Sequence, residues 1–147
     1  MTNQYVDVKK LEQGDAFPEI AYPPVTKSQL VRYAGASGDF NPIHTDDEAA
    51  GESGLKGVIA QGPLVMGFLG QAIVRWVPKR TLKKFKVRFK GMTFPGDIIT
   101  VSATVAKKLE TEEEIKIFCD AAAKDQKGEI KISGQFEAAV PLKQGGK

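Results

Sequence analysis

The spacing of apolar positions changes rhythm halfway along this chain. In KKFKVRFK (residues 83–90), Phe85, Val87 and Phe89 alternate with Lys84, Lys86, Arg88 and Lys90, the two-residue period of a half-buried strand. Ile99, Val101, Ala103 and Val105 repeat that rhythm after a turn at Phe94-Pro95-Gly96-Asp97. Ile115 and Ile117 open a third strand, KDQKGE turns it, and Ile130, Ile132, Phe136 and Val140 mark a fourth. Short turns between long strands predict an antiparallel meander.

Before residue 80 the period is helical. Residues 17–25 hold Pro18, Pro23 and Pro24 and read as extended chain. Thr26-Lys27-Ser28-Gln29 has the spacing of a capping box, which predicts a helix to about Ala36 with Leu30, Val31, Tyr33 and Ala34 as its apolar face. Gly38 and Asn41-Pro42 punctuate a loop. A second box, Thr45-Asp46-Asp47-Glu48, predicts a short helix capped by Thr45 and ending near Gly51 or Gly54. Residues 63–77 then form a helix with Pro63 at its first position. This helix is apolar on nearly every side, so it should be surrounded by other structure. The one place for it is across the concave face of the sheet. The expected class is α+β, a hot-dog fold: a twisted antiparallel sheet wrapped around a long central helix, as one domain over residues 1–147. Such a sheet leaves edges and apolar surface to cover, which favours a homodimer.

Composition narrows the options. A chain of 147 residues with 41% apolar and 27% charged residues is ordinary for one soluble domain. The formal charge of +3 is too small to argue for nucleic acid, and no recognition fold accompanies it. One Cys, Cys119, and one His, His44, cannot build the usual zinc site, and no metal or other cofactor is expected. The single Cys suits a reducing compartment, and the first ten residues lack the apolar run of a secretory signal, so a cytoplasmic location is expected. Residues 57–77 are long enough to span a bilayer. Gln61, Gln71, Arg75, Pro63 and four glycines interrupt them, and a buried core helix is the better reading. The final KQGGK (residues 143–147) should fray.

The chemistry concentrates in ASGDFNPIHTDDEA (residues 36–49). Asp39 and His44 flank a Gly- and Asn-Pro-shaped loop, where catalytic groups are commonly displayed. Imidazole titrates near neutral pH and a carboxylate can partner it, so two such groups around one water can activate it and return a proton. Ser37 is a possible third member, but no G-x-S-x-G elbow supports a serine hydrolase.

The stretch YAGASGDFNPIHTDDEAA (residues 33–50) closely resembles the hydratase motif of the MaoC-like family, which includes the (R)-specific enoyl-CoA hydratases and (3R)-hydroxyacyl-thioester dehydratases. An aromatic residue, small residues, then Ser-Gly-Asp-x-Asn-Pro-aliphatic-His are matched position by position. The resemblance implies a lyase that reversibly hydrates a trans-2-enoyl thioester, carried by coenzyme A or an acyl carrier protein, to the (3R)-hydroxyacyl form. It makes Asp39 and His44 the catalytic pair. It counts Asn41, which with Pro42 shapes the loop, and Gly62 as substrate-binding residues, Gly62 offering its backbone N–H to the thioester oxygen. A helix-start amide is suited to that task, because enolate charge develops on the oxygen. Family members often read His-Gly-Met where this chain has Gln61-Gly62-Pro63, a departure that bears on substrate preference.

Two further features have competing readings. The basic run of residues 78–90 is either the solvated face of a strand or a surface steering phosphates or an acidic carrier protein. Met66, Phe68, Leu69 and Trp76 read as core, some of it able to line an acyl tunnel, and Cys119 reads as a small core residue. The alternatives to the lyase are an acyl-CoA thioesterase and a non-catalytic partner subunit of a heteromeric dehydratase.

Overall fold

The computed structural model describes residues 5–142, so the KQGGK tail lies outside the described residues. In chain order they form β1 (Ile20–Ala21), α1 (Lys27–Ser37), α2 (Asp47–Glu52), α3 (Gly62–Trp76), β2 (Leu82–Phe89), β3 (Thr100–Glu110), β4 (Glu114–Lys124) and β5 (Ile130–Pro141). A short 3-10 turn, Pro42–His44, lies between α1 and α2.

Local chemistry sets most of these boundaries. Thr26 caps α1 by accepting the Gln29 N–H at 3.1 Å, and Gly38 ends it in the left-handed region at φ 77°. The cap of α2 differs from expectation. Thr45 is spent closing the 3-10 turn, its N–H donating to the Pro42 carbonyl, so the extended Asp46 caps instead and accepts the Glu48 N–H at 3.0 Å.

The sheet is antiparallel in the order β1-β3-β4-β5-β2. Only β3, β4 and β5 form the expected meander, because β2 pairs with β5 across the sheet rather than with β3. The reason is where residues 90–99 spend their hydrogen bonds. Lys90 and Gly91 donate to the Lys131 carbonyl, the Thr93 carbonyl accepts the Ala60 N–H, and the Phe94–Asp97 turn docks on Val25. That path crosses one end of the sheet, so the turn closes no hairpin. Buried Lys131 in turn sits between the carboxylates of Asp125 and Glu129, at 3.5 and 3.3 Å.

Helix α3 lies on the inner face of the sheet, burying Val65, Phe68, Leu69, Ala72, Ile73 and Trp76 against strand residues such as Ile117 and Phe136. Gly134 allows the close approach: a Cβ there would lie 3.0 Å from Leu69 Cδ2 and 3.2 Å from the Lys86 carbonyl oxygen. Within this one chain a face of the helix stays open, however. Pro63, Gly67, Gln71 and Arg75, each four residues from the next, form an exposed stripe.

The proline-bearing arm crosses α3 and is fixed by the polar tips of two aromatic residues. Tyr22 donates its hydroxyl to the Phe68 carbonyl and Trp76 donates its indole N–H to the Pro18 carbonyl, both at 2.9 Å. Phe17, Trp76 and Phe136 pack together beneath it, with centroids 5.0 to 6.4 Å apart. Phe136 joins the arm, α3 and β5, so Phe136→Ala is expected to cost about 3–5 kcal/mol of folding stability. A urea titration measures this, and a loss below about 1 kcal/mol would contradict the packing described.

Candidate active site

Short-range hydrogen bonds build the loop after α1. The Asp39 N–H donates to Ser37 Oγ at 3.1 Å, the Asn41 N–H to Asp39 Oδ1 at 3.2 Å, and the Ile43 N–H to Asn41 Oδ1 at 3.2 Å. Each small polar side chain thus closes the turn that follows it. Ser37 and Asn41 spend these oxygens on the loop itself. Asp39 spends only one, and its other oxygen, Oδ2, lies 3.4 Å from His44 Nε2.

His44 has its tautomer set by its far side. Its Nδ1 is 2.7 Å from the Ile59 carbonyl oxygen, which can only accept, so Nδ1 carries the proton. In the neutral ring Nε2 is then a lone pair directed at the Asp39 carboxylate. Two acceptors cannot bond each other, so the pair is arranged to share a proton or to hold a donor such as water between them. The His44 side chain is 10% exposed and that of Asp39 44%, a buried imidazole beside a half-exposed carboxylate.

Residues 59–61 anchor this arrangement. The Ile59 N–H donates to the Ile43 carbonyl, the Ala60 N–H to the Thr93 carbonyl, and Gln61 Nε2 to the Leu30 carbonyl of α1. Sequence reasoning missed a neighbouring support, Asp47. Its carboxylate accepts the Val58 N–H at 3.0 Å and pairs with Lys27, and the Lys27 bond is the foremost cause holding its pKa below the usual carboxylate range. Its signal was the Asp46-Asp47 doublet, in which one carboxylate caps α2 and leaves the second free to reach elsewhere.

Gly62 is the first residue of α3, three positions beyond Ile59 and so within about 10 Å of it along the chain. Pro63 has no N–H, and the N–H groups of Leu64 and Val65 both donate to the Gln61 carbonyl. Among the described residues this leaves the Gly62 N–H as the one first-turn amide without an acceptor, at the positive end of the helix dipole. A Cβ on Gly62 would lie 3.0 Å from Phe89 Cε1, so the half-exposed Phe89 ring rests on the glycine. Alternation makes Phe89 an inward strand residue, and nothing in the pattern of β2 signals this contact.

The remaining sequence expectations fall elsewhere. Lys84, Lys86 and Arg88 line the outer face of β2 opposite Glu137, Gln135 and Ser133, as the solvated face of a strand would. A surface depression there, lined in part by Lys84, Lys86, Phe118 and Asp120, shares no residue with the Asp39 group. Phe68, Leu69 and Trp76 are core, and Met66 is half-buried. No helix among the described residues is long and apolar enough to cross a membrane.

A family profile described as MaoC like domain matches residues 12–125, and the chain belongs to that family. The (R)-specific enoyl-CoA hydratase of Rhodospirillum rubrum is 27% identical over 124 residues, covering 81% of this chain and 82% of that protein. Fatty acid synthase subunit beta of Gibberella zeae is 29% identical over 127 residues, covering 84% of this chain, which spans only 6% of that much longer protein. Among solved structures, the R-hydratase PhaJ1 of Pseudomonas aeruginosa superposes with a TM-score of 0.76 at 24% identity, covering 95% of this chain and 91% of that one. The fold is the hot-dog fold, and hydro-lyase is the enzyme class to which this family membership points.

Cys119 takes no part in the site. Burial, with a smaller contribution from Asp120, pushes its thiol up to about 12, so the nucleophilic thiolate is absent at neutral pH. Iodoacetamide at pH 8 should leave the folded protein unlabelled and modify it only in denaturant; rapid labelling of the native protein would refute the burial.

Proposed function

We propose that the chain reversibly adds water to a trans-2-enoyl thioester to give the (3R)-hydroxyacyl thioester. The observation that carries this reading is the Asp39 Oδ2–His44 Nε2 approach at 3.4 Å, with the His44 tautomer held by the Ile59 carbonyl. In the hydration direction, water lies against the pair and loses a proton to it as its oxygen bonds to C3. The π electrons of the double bond move toward the thioester, whose oxygen takes up enolate charge. The Gly62 N–H, free and at the helix end, meets that charge; removing one such donor elsewhere costs about 2.7–4 kcal/mol of barrier. The enolate collapses by taking at C2 the proton held between Nε2 and Oδ2, which restores the starting state. Dehydration is the same path reversed. Asn41 is assigned here to the loop that directs the pair, on the strength of its Oδ1 bond to Ile43.

The substrate carrier is coenzyme A or an acyl carrier protein, either of which suits the exposed cations of β2. A homodimer is the expected state. β2 is an edge strand of eight residues with one side unpaired, and Phe89 projects half-exposed at its end.

Asp39→Asn and His44→Ala are each expected to lower crotonyl-CoA hydration about 10²–10⁴-fold, the usual contribution of a general acid or base, with melting curves that remain cooperative. Loss of the enoyl absorbance measures turnover, and near-normal rates in either variant would defeat the assignment. A thiol reagent in the same assay tests the thioesterase alternative, because only hydrolysis releases free coenzyme A.

A further inference from the structure

We propose that Gln61 is a positioning residue whose buried amide ties α1 to the start of α3, and so holds the Asp39–His44 loop in register with the Gly62 N–H. The proposal rests on the lyase reading above and deepens it.

The loop that bears Asp39 and His44 hangs between two supports. At its far end, His44 and Ile43 bond to Ile59. At its near end it continues α1, and α1 is tied to the same segment through Gln61, whose Nε2 donates to the Leu30 carbonyl at 2.9 Å. Of residues 59–61, Gln61 is the one that reaches α1. Gly62 follows it directly, so one side chain joins the helix that leads into the pair and the helix whose first amide faces the thioester. A second long-range polar link from α1 to this region is the Lys27–Asp47 pair, which is exposed and therefore weak.

Stability does not account for an amide at this position. Gln61 is 0% exposed, and its Oε1 has no hydrogen-bond partner. A buried amide satisfied at one end loses hydration at the other without compensation. The Leu30 carbonyl lies inside α1, where the helix ladder already engages it, so it does not need Gln61. An apolar side chain of similar length would fill the space with no orphaned oxygen. What it would not do is bond α1. The cost in stability and the gain in geometry thus point in opposite directions, as they do at sites kept for function.

This opposition makes the assignment testable on the full chain. In Gln61→Met, kcat for crotonyl-CoA hydration should fall about 10–100-fold, the range for lost supporting bonds, with KM within twofold and a melting temperature equal to or above that of the unmodified protein. Gln61→Glu supplies the rescue. While its buried carboxyl stays protonated it can donate to the Leu30 carbonyl, so activity should be largely retained at low pH. Activity should then fall as the group ionises, at a lower pH than in the unmodified protein.

A fully active Gln61→Met would overturn the proposal. So would a melting temperature that drops in step with kcat while Gln61→Glu recovers activity at no pH, because Gln61 would then be only structural. An unmodified protein that does not hydrate crotonyl-CoA would instead bring down the lyase reading, and this one with it.

Discussion

The structure depends on the seating of α3 against the inner face of the sheet. Leu69, Ala72 and Ile73 are fully buried there, and Gly134 supplies the gap that lets Leu69 approach β5 and the backbone of β2. Apolar burial of this kind is non-directional, but interiors pack too densely to slide. Once the helix is seated, the location of its N-terminus follows. The aromatic arm then closes over it, with the Tyr22 hydroxyl and the Trp76 indole fixing the arm along the helix axis. Everything at the candidate site is measured from that end of α3.

Around this fixed end, most polar groups build local structure and a few are left without a partner. Ser37, Asn41, Asp46 and one oxygen of Asp39 close turns or cap helices. Asp47 and Gln61 join separate elements. In the loop and at the helix start, the second oxygen of Asp39, Nε2 of His44 and the N–H of Gly62 stay unspent, while the other unpartnered polar atoms nearby, Gln61 Oε1 and Thr93 Oγ1, are buried. A loop this short could not hold two side chains 3.4 Å apart by packing alone, since most of it is exposed. Its rigidity comes from backbone N–H groups bonded to the side chain two residues earlier, and from His44 being buried against Ile59.

How much of this was legible in the sequence follows from the range of the interactions concerned. The Thr26 cap, the Gly38 stop and the alternation in β3 and β4 depend on residues a few positions apart, and they read correctly, whereas at the start of β5 Ile130 is exposed and Lys131 is buried. The approach of Asp39 to His44 was legible because the short loop between them encodes its own turns. β2 lies beside β5 and not β3 as a meander requires, since its partner is chosen by the path of residues 90–99 across the sheet end. The capping-box spacing points to Thr45 because it takes no account of a preceding 3-10 turn that needs the same residue. Phe89 over Gly62 and Gln61 on Leu30 join residues 27 and 31 positions apart, and periodicity carries no information at that distance.

The Gln61-Gly62-Pro63 step can then be read as one device rather than as a departure. A helix start normally presents several unsatisfied N–H groups, any of which can take an anion or carbonyl. Pro63 removes one, and the Gln61 carbonyl takes the next two, so a single donor remains. The dipole of the whole helix still acts at that point, but only one direction of approach satisfies it. With Phe89 resting on the glycine, one side of the approach is already occupied. A thioester oxygen bound there would be fixed in orientation before its carbon chain made any contact. For the hydration proposed above, that restraint would set C3 toward the water oxygen and C2 toward the proton the pair returns.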